Sequence, residues 1–402
     1  MLLLYNTGVQ LYFVAIYIAS FFNKKAKLWV NGRKEQALIR FSGCIWFHFA
    51  SLGEFEQGRP VLEAMRELYP KEKIVITFFS PSGYEVRKNT RLADAVYYLP
   101  LDTAANARQF IGIIQPKIAV FTKYEYWYHF FNETHSRNIP LYVISGIFRP
   151  NQVFFKWYGG LHRKMLGFVR RFFVQDESSQ ELLQQIGVTN VTVSGDTRFD
   201  RVWANAQQPK AIPGIAEFKN NQKIFIAGST WPADEQLIAT ITTQYPGWKF
   251  IIAPHEISEE KIAKLISILP SDTTLRYSQI SNLTSSISHL IIDNIGMLSS
   301  LYQYADIAYI GGGFGVGIHN TLEAAAFGLP VIFGPEYSKF KEAKDLIALQ
   351  AGFTIADEAR LKTITDKLIT EQVFYNKASV TITTYVKEHT GATAAIINFI
   401  KN

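Results

Sequence analysis

Two stretches of the chain combine residue types that can do chemistry. In Ser51-Leu52-Gly53-Glu54 a carboxylate sits in a small-residue turn just past an apolar run and ahead of a helix predicted over Pro60 to Tyr69. A carboxyl group so placed can take the proton of a hydroxyl if its affinity for protons is tuned. It can equally be a helix-start carboxylate favoured by the dipole. In the second stretch, Gly311, Gly312, Gly313, Gly315 and Gly317 strip a loop of nearly all side chains. Backbone N–H groups in such a loop can approach a ligand closely. Asn320 is a good N-cap and Glu323 has capping-box spacing from it. Together they predict a strand, glycine loop, helix, strand unit with an anion site at the helix N-terminus. Gly228-Ser229-Thr230 follows another strand and offers small hydroxyls and N–H groups suited to phosphate. No His/Cys/Asp cluster has metal-ligand spacing, and no Gly-x-Ser-x-Gly elbow occurs.

The elements that must position these groups alternate regularly. Apolar runs at Ile45–Ala50, 73–79, 96–99, 118–122, 141–144, 172–175 and 191–194 predict strands of a first series. A second series is predicted at 224–227, 250–253, 274–276, 290–292, 307–310 and 331–333, with the last helices between Lys339 and Lys401. Strands alternating with helices imply doubly wound parallel sheets with ligands at the strand C-terminal ends. Residues 207–222, with two prolines, a glycine and several polar side chains, are the best linker. The predicted organisation is an anchor over 1–22, a first domain over 23–206, a linker over 207–222 and a second domain over 223–402.

With 402 residues, 48% hydrophobic and 19% charged, the chain suits about two domains. A net charge of +7 favours an acidic partner such as phosphate or an anionic membrane. No long basic tail requires nucleic acid, and none is expected as a partner. The single cysteine, Cys44, excludes an internal disulfide and reads as inert core. Leu2 to Phe22 is almost continuously apolar and, at about 1.5 Å per residue, reaches roughly one bilayer core. Lys24, Lys25, Lys27, Arg33 and Lys34 follow, which puts the body on the cytoplasmic side. Shallow insertion and a first helix packed on the globule are the alternatives. Lys156, His162, Arg163, Lys164, Arg170 and Arg171, interleaved with aromatic residues, fit either an anionic lipid surface or a helix with snorkelling cations.

Taken together, Gly311-Gly312, His319-Asn320-x-Leu322-Glu323, Gly-x-Pro-Val and Gly334-Pro335 resemble the nucleotide-binding segment of GT-B glycosyltransferases. Within that group the chain resembles the Kdo transferases, which join 3-deoxy-D-manno-octulosonic acid (Kdo) to lipid A. Ser51-x-Gly53-Glu54 matches the family's Ser-x-Gly-Glu, whose glutamate is the general base, and Ser80-Pro81-Ser82-Gly83 corresponds to a Thr-Pro-Thr-Gly turn. Thr122 to Trp127 matches Glu-Thr-Glu-Leu-Trp in part. The first family glutamate, which helps stabilise the transition state, falls on Lys123. Glu125 keeps the second and serves instead, or pairs with Lys123 or Arg149. Arg198, in Gly195-Asp196-Thr197-Arg198-Phe199-Asp200, takes the place of a lysine that stabilises the departing nucleotide. The competing reading is an Arg198–Asp200 surface pair.

Donor contacts carry over in the same way. Ser229-Thr230 resembles an Ala-Ser-Thr turn, Pro254-His255 occupies a Pro-Arg pair, and Gly296-Met297-Leu298 aligns with a Gly-Glu-Leu nucleotide contact. Asn320-Thr321-Leu322-Glu323 matches the donor motif Asn-x-Leu-Glu, with the glutamate a ribose ligand, and Gly312 belongs to the adjoining loop. The resemblance implies a GT-B fold with two Rossmann-like domains facing a cleft and a last helix packed on the first domain. It implies transfer of Kdo from CMP-Kdo to a lipid A precursor at the inner membrane, with inversion and with neither metal nor cofactor. The alternatives are another GT-B enzyme, such as a nucleotide-sugar epimerase or a different glycosyltransferase, and a non-catalytic lipid-binding protein.

Overall fold

The computed structural model describes residues 1–401. Two compact units divide the chain: Met1–Asp200 with the segment from Thr390 onward, and Arg201–His389. Each is built on a seven-stranded sheet in which every described pairing is parallel.

The first sheet comprises β1 (Cys44–Phe49), β2 (Ile74–Phe78), β3 (Ala95–Tyr98), β4 (Pro116–Thr122), β5 (Leu141–Gly146), β6 (Arg171–Val174) and β7 (Val191–Val193). They lie in the order β3-β2-β1-β4-β5-β6-β7. All six residues of β1 are buried, as expected of a parallel strand covered on both faces. Trp46 on β1 packs edge-on to Phe121 at 5.0 Å and against Phe110 at 5.5 Å. The helices that matter for function are α1 (Leu2–Ala19), α2 (Lys24–Glu35), α3 (Leu52–Leu68), α4 (Pro81–Arg87), α5 (Ala104–Ile114) and α6 (Tyr128–Ser136). The C-terminal helix Ala392–Lys401 packs on α3, with Ile396 and Ile400 in the same core cluster as Leu62 and Met65. Its start is held by Asp200, whose carboxylate accepts the Gly391 and Thr393 N–H groups at 2.5 and 2.6 Å.

The second sheet comprises β8 (Lys223–Thr230), β9 (Trp248–Pro254), β10 (Thr274–Arg276), β11 (His289–Ile291), β12 (Ile307–Ile310), β13 (Val331–Phe333) and β14 (Gly352–Thr354). Their order is β10-β11-β9-β8-β12-β13-β14. Residues 207–222 belong to this unit and carry a helix, Ile215–Lys219, whose Ile215 and Phe218 are buried.

Two local expectations are corrected. α3 begins at Leu52 rather than Pro60, so Ser51 to Glu54 is a helix start rather than a separate turn. Pro60 is tolerated inside α3 because the turn ahead of it is fixed by packing: Phe55, Gln57 and Gly58 are all buried. A Cβ on Gly58 would stand 2.5 Å from the Phe49 ring, so the helix presses directly on β1. β14 escapes the sequence reading because three residues, one a glycine, carry no usable alternation.

Candidate active-site residues on the two units

In an open parallel sheet, ligands collect past the strand ends where the strand order reverses. In the first unit that point is between β1 and β4, since β1 has β2 on its other side. The chain leaves β1 at Phe49 and enters α3 at Leu52, which sets Glu54 in the first turn of the helix. Glu54 Oε2 accepts the Ala50 N–H at 2.5 Å. Burial pushes the Glu54 carboxyl up to about 8, and the neighbouring Glu125 charge adds to the rise. The Ala50 N–H and the Lys123 ammonium act against it. A carboxyl group poised there releases its proton near physiological pH, as a general base requires.

Across the switch point the chain leaves β4 at Thr122, and Lys123 adopts a left-handed φ of 60°. Such a conformation costs a side-chain-bearing residue about 1 kcal/mol or more and clusters at functional sites. The Lys123 N–H donates to Ile144 O at 3.0 Å, which fixes the turn that presents Glu125. Glu125 Oε2 accepts from Trp127 Nε1 at 2.9 Å and lies 3.2 Å from His48 Nε2. His48 Nδ1 in turn lies 2.8 Å from Thr77 Oγ1. His48 is fully buried on β1, and burial lowers its proton affinity, so the ring stays neutral. The bonds that hold Glu125 therefore come from His48 and Trp127, partners the motif comparison did not assign. The signal for His48 was present: one polar residue inside an otherwise apolar, fully buried strand.

Arg198 follows β7 at the start of helix Thr197–Gln207. Its Nε donates to Asp196 Oδ2 at 2.8 Å, and Asp196 Oδ1 accepts from Gln57 Nε2 at 3.0 Å. Gln57 lies one turn beyond Glu54 on α3, so Arg198 is tied to the helix that carries the carboxylate. The ion pair expected with Asp200 is formed with Asp196, while Asp200 caps the C-terminal helix.

In the second unit the strand order reverses between β8 and β12. The two strand ends meet closely: Gly311 N donates to Gly228 O at 2.9 Å. A Cβ at Gly311 would stand 2.3 Å from Ser229 O, so only glycine fits. Ser229 takes a left-handed φ of 55°, the counterpart of Lys123 in the first unit. Asp234, 1% exposed, organises the loop: it accepts from Tyr309 Oη at 2.7 Å, from Gly312 N at 2.9 Å and from Trp231 N at 2.9 Å. Gly312 sits at φ 92°, accessible to glycine.

Thr230, expected to meet phosphate through its hydroxyl, is buried and donates to Glu235 Oε1 at 3.1 Å. Pro254 ends β9, and the His255 N–H donates to Thr230 O at 2.9 Å. The His255 ring stacks against both Trp231 at 4.8 Å and His319 at 4.5 Å. Trp231 Nε1 donates to His319 Nε2 at 3.2 Å, which leaves the proton of the neutral His319 ring on Nδ1. Burial, with His255 beside it, lowers the proton affinity of His319.

Leu298 packs over Gly228, while Gly296 is exposed at φ 95° and Met297 precedes the one-turn helix Leu298–Leu301. Asn320 Oδ1 accepts the Leu322 N–H at 3.1 Å, and its Nδ2 donates to Glu323 Oε1 at 3.3 Å. The helix that follows, Leu322–Ala325, is one turn long, with Thr321 buried at its start. The anion site expected from a helix dipole is corrected accordingly, because four residues sum almost no macrodipole. What stands at this helix start is glycine-loop backbone and the Asn320 side chain. Burial raises the proton affinity of Glu323, and the Arg201 charge opposes that rise.

Residues 22–201 match the family model described as 3-Deoxy-D-manno-octulosonic-acid transferase (kdotransferase). A 3-deoxy-D-manno-octulosonic acid transferase of Chlamydia trachomatis serovar A is 27% identical over 341 residues, 82% of this chain and 78% of that protein. One from Aquifex aeolicus is 27% identical over 345 residues, 83% of this chain and 88% of that protein. Among solved structures, UDP-GlcNAc 2-epimerase of Neisseria meningitidis superposes with a TM-score of 0.62 at 14% identity, covering 89% of this chain and 100% of that one. That likeness concerns the fold, two parallel α/β units of the GT-B type. Residues 22–201 thus carry a 3-deoxy-D-manno-octulosonic-acid transferase domain, and over most of its length the chain is similar to glycosyltransferases of that name.

Proposed function

We propose that this protein transfers Kdo from CMP-Kdo to a hydroxyl of a lipid A precursor, at the cytoplasmic face of the inner membrane. The observation that carries the reading is Glu54: a half-buried carboxyl held by a backbone N–H past β1, with its proton affinity raised to about 8. In the proposed step the acceptor oxygen attacks the anomeric carbon of Kdo with inversion. The Glu54 carboxylate takes the hydroxyl proton as the new C–O bond forms. The bond from the anomeric carbon to the phosphate oxygen breaks, and its electron pair leaves with CMP. Charge developing on CMP is offset by Arg198, and Lys123 contributes a second cation. Arg198 offers a planar fork matched to phosphate oxygens.

On the second unit the nucleotide rests against the backbone at Gly312 and Ser229, with Asn320, Thr321, Leu322 and Glu323 on the ribose side. Pro254 and His255 lie beside the phosphate, and Gly296, Met297 and Leu298 contact the nucleotide through backbone groups. Thr230 supports that surface through Glu235 rather than touching the donor. His48, backed by Thr77, and Trp127 hold a second carboxylate, Glu125, whose charge bears on Glu54.

The test is a transfer assay with CMP-Kdo and a tetraacylated lipid A precursor, run beside UDP-sugars, comparing the native protein with Glu54→Gln. Kdo transfer lost on substitution supports the reading. Equal transfer by both proteins removes Glu54 as the base, and consumption of a UDP-sugar instead of CMP-Kdo removes the donor assignment.

A further inference from the structure

α1 is long and apolar enough to cross a membrane and none of its residues is fully buried, yet one of its faces is bonded to the first unit. Tyr5, Asn6, Val9, Phe13, Ile16 and Ala19 are the half-buried positions, and their three- and four-residue spacing defines one face over nearly the whole helix. The N-terminal end of that face is pinned by hydrogen bonds. Tyr5 Oη donates to Asp102 Oδ2 at 2.5 Å, and Asn6 Oδ1 lies 2.7 Å from His129 Nε2. Asp102 is 2% exposed and also accepts the His129 and Phe130 N–H groups that start α6, each at 3.1 Å. Further along, Tyr12 stacks on Phe79 at 6.1 Å and Phe13 meets Trp29 of α2 at 6.4 Å.

A helix crossing the bilayer would carry Asn6 about 20 Å from Ala19 along the membrane normal. Tyr5 and Asn6 would lose their partners, and the buried Asp102 carboxylate would lose a donor. The opposite face is apolar and exposed at Leu3, Leu4, Leu11, Ile18, Phe21 and Phe22, the last at 89%. Lys24, Lys25 and Lys27 follow at once, all exposed. An apolar stripe flanked by cations matches the acyl boundary and anionic headgroups of a lipid leaflet.

We infer that α1 is a monotopic contact: it lies in the plane of a leaflet containing anionic lipid, bonded to the first unit through Tyr5 and Asn6, and does not span. The inference stands independently of the sugar-transfer reaction, and its test reads topology rather than activity.

The experiment uses the full chain with an epitope ahead of Met1, in membrane vesicles whose outer surface carries the protein body. An impermeant protease should remove the epitope without detergent. Protection until detergent is added would show a spanning helix and overturn the inference. In a flotation assay, vesicles of phosphatidylcholine with phosphatidylglycerol should retain the protein better than phosphatidylcholine alone. The double substitution Leu11→Glu and Phe22→Glu, on the exposed face, should lower retention at least tenfold with an unchanged circular dichroism spectrum. Retention unaltered by that substitution would overturn the inference. So would native protein that stays off both vesicle types and self-associates through this face.

Discussion

The two units share a plan and differ in chemistry. Each has seven parallel strands, a reversal of strand order beside its first strand, and a side-chain-bearing residue held at positive φ at the end of a central strand: Lys123 just past β4 and Ser229 next to last in β8. Past β1 and β4 the first unit gathers titratable groups, Glu54, Glu125 and the neutral His48. Past β8 and β12 the second unit gathers glycine backbone, with its buried Asp234 bonded into the loop. On the proposed reading one scaffold supports two tasks, moving a proton and cradling an anion, and the division follows from what stands at the strand ends rather than from the fold.

That division can be broken by substitutions whose effects should separate rate from affinity. Glu54→Gln keeps the shape and removes the base; transfer should fall about 100- to 10,000-fold while CMP affinity, measured by calorimetry, stays the same. A parallel loss of CMP affinity would erase the distinction between the units. Asp234→Ala removes three buried hydrogen bonds from the glycine loop, so thermal unfolding should report a loss of about 2–4 kcal/mol and CMP binding should weaken. If binding is intact in the folded variant, the loop is not the cradle.

Smaller effects sharpen the account. Lys123→Met removes a charge that lowers the proton affinity of Glu54, so the rise of rate with pH should move to higher pH, with less than a tenfold loss at the plateau. A shift to lower pH would contradict that arrangement. The same carboxyl has a stability consequence. Its folded-state pKa is raised above the ordinary 4.5, so the native state favours the protonated form, and stability is lost as pH rises from 4.5 through about 8. Glu54→Gln, which cannot ionise, should lose less stability than the native protein between pH 5 and pH 9 in denaturant titrations. A larger loss in the variant would mean that the charged carboxylate is stabilised after all.

Much of this was legible in the residues. Buried parallel strands announce themselves as continuous apolar runs, and thirteen strand positions, from β1 to β13, were recognisable from such runs. Gly311 and Gly312 marked a loop whose backbone can be approached closely, and at Gly311 the close neighbour is the Ser229 carbonyl at the end of β8. Three-residue β14 at a sheet edge was not legible, nor was the start of α3, where packing of Phe55 and Gly58 outweighs the break suggested by Pro60. Two long-range contacts, His48 with Glu125 and Gln57 with Asp196, were hidden for a different reason. His48 stands 77 positions from Glu125, and Gln57 stands 139 from Asp196, distances over which a single sequence gives no pairing signal. Thr230 shows the reverse error: a hydroxyl suited to phosphate by type is buried against Glu235 by position.

The most direct measurement is a titration of the Glu54 carboxyl itself, by carboxyl-carbon NMR of the native protein against Glu54→Gln, followed from pH 4 to pH 10 beside the transfer rate. The account predicts a carboxyl signal, absent in the variant, that moves with a midpoint near 8, and a rate that rises along the same curve. A midpoint near the ordinary 4.5, or a rate indifferent to that ionisation, would contradict it.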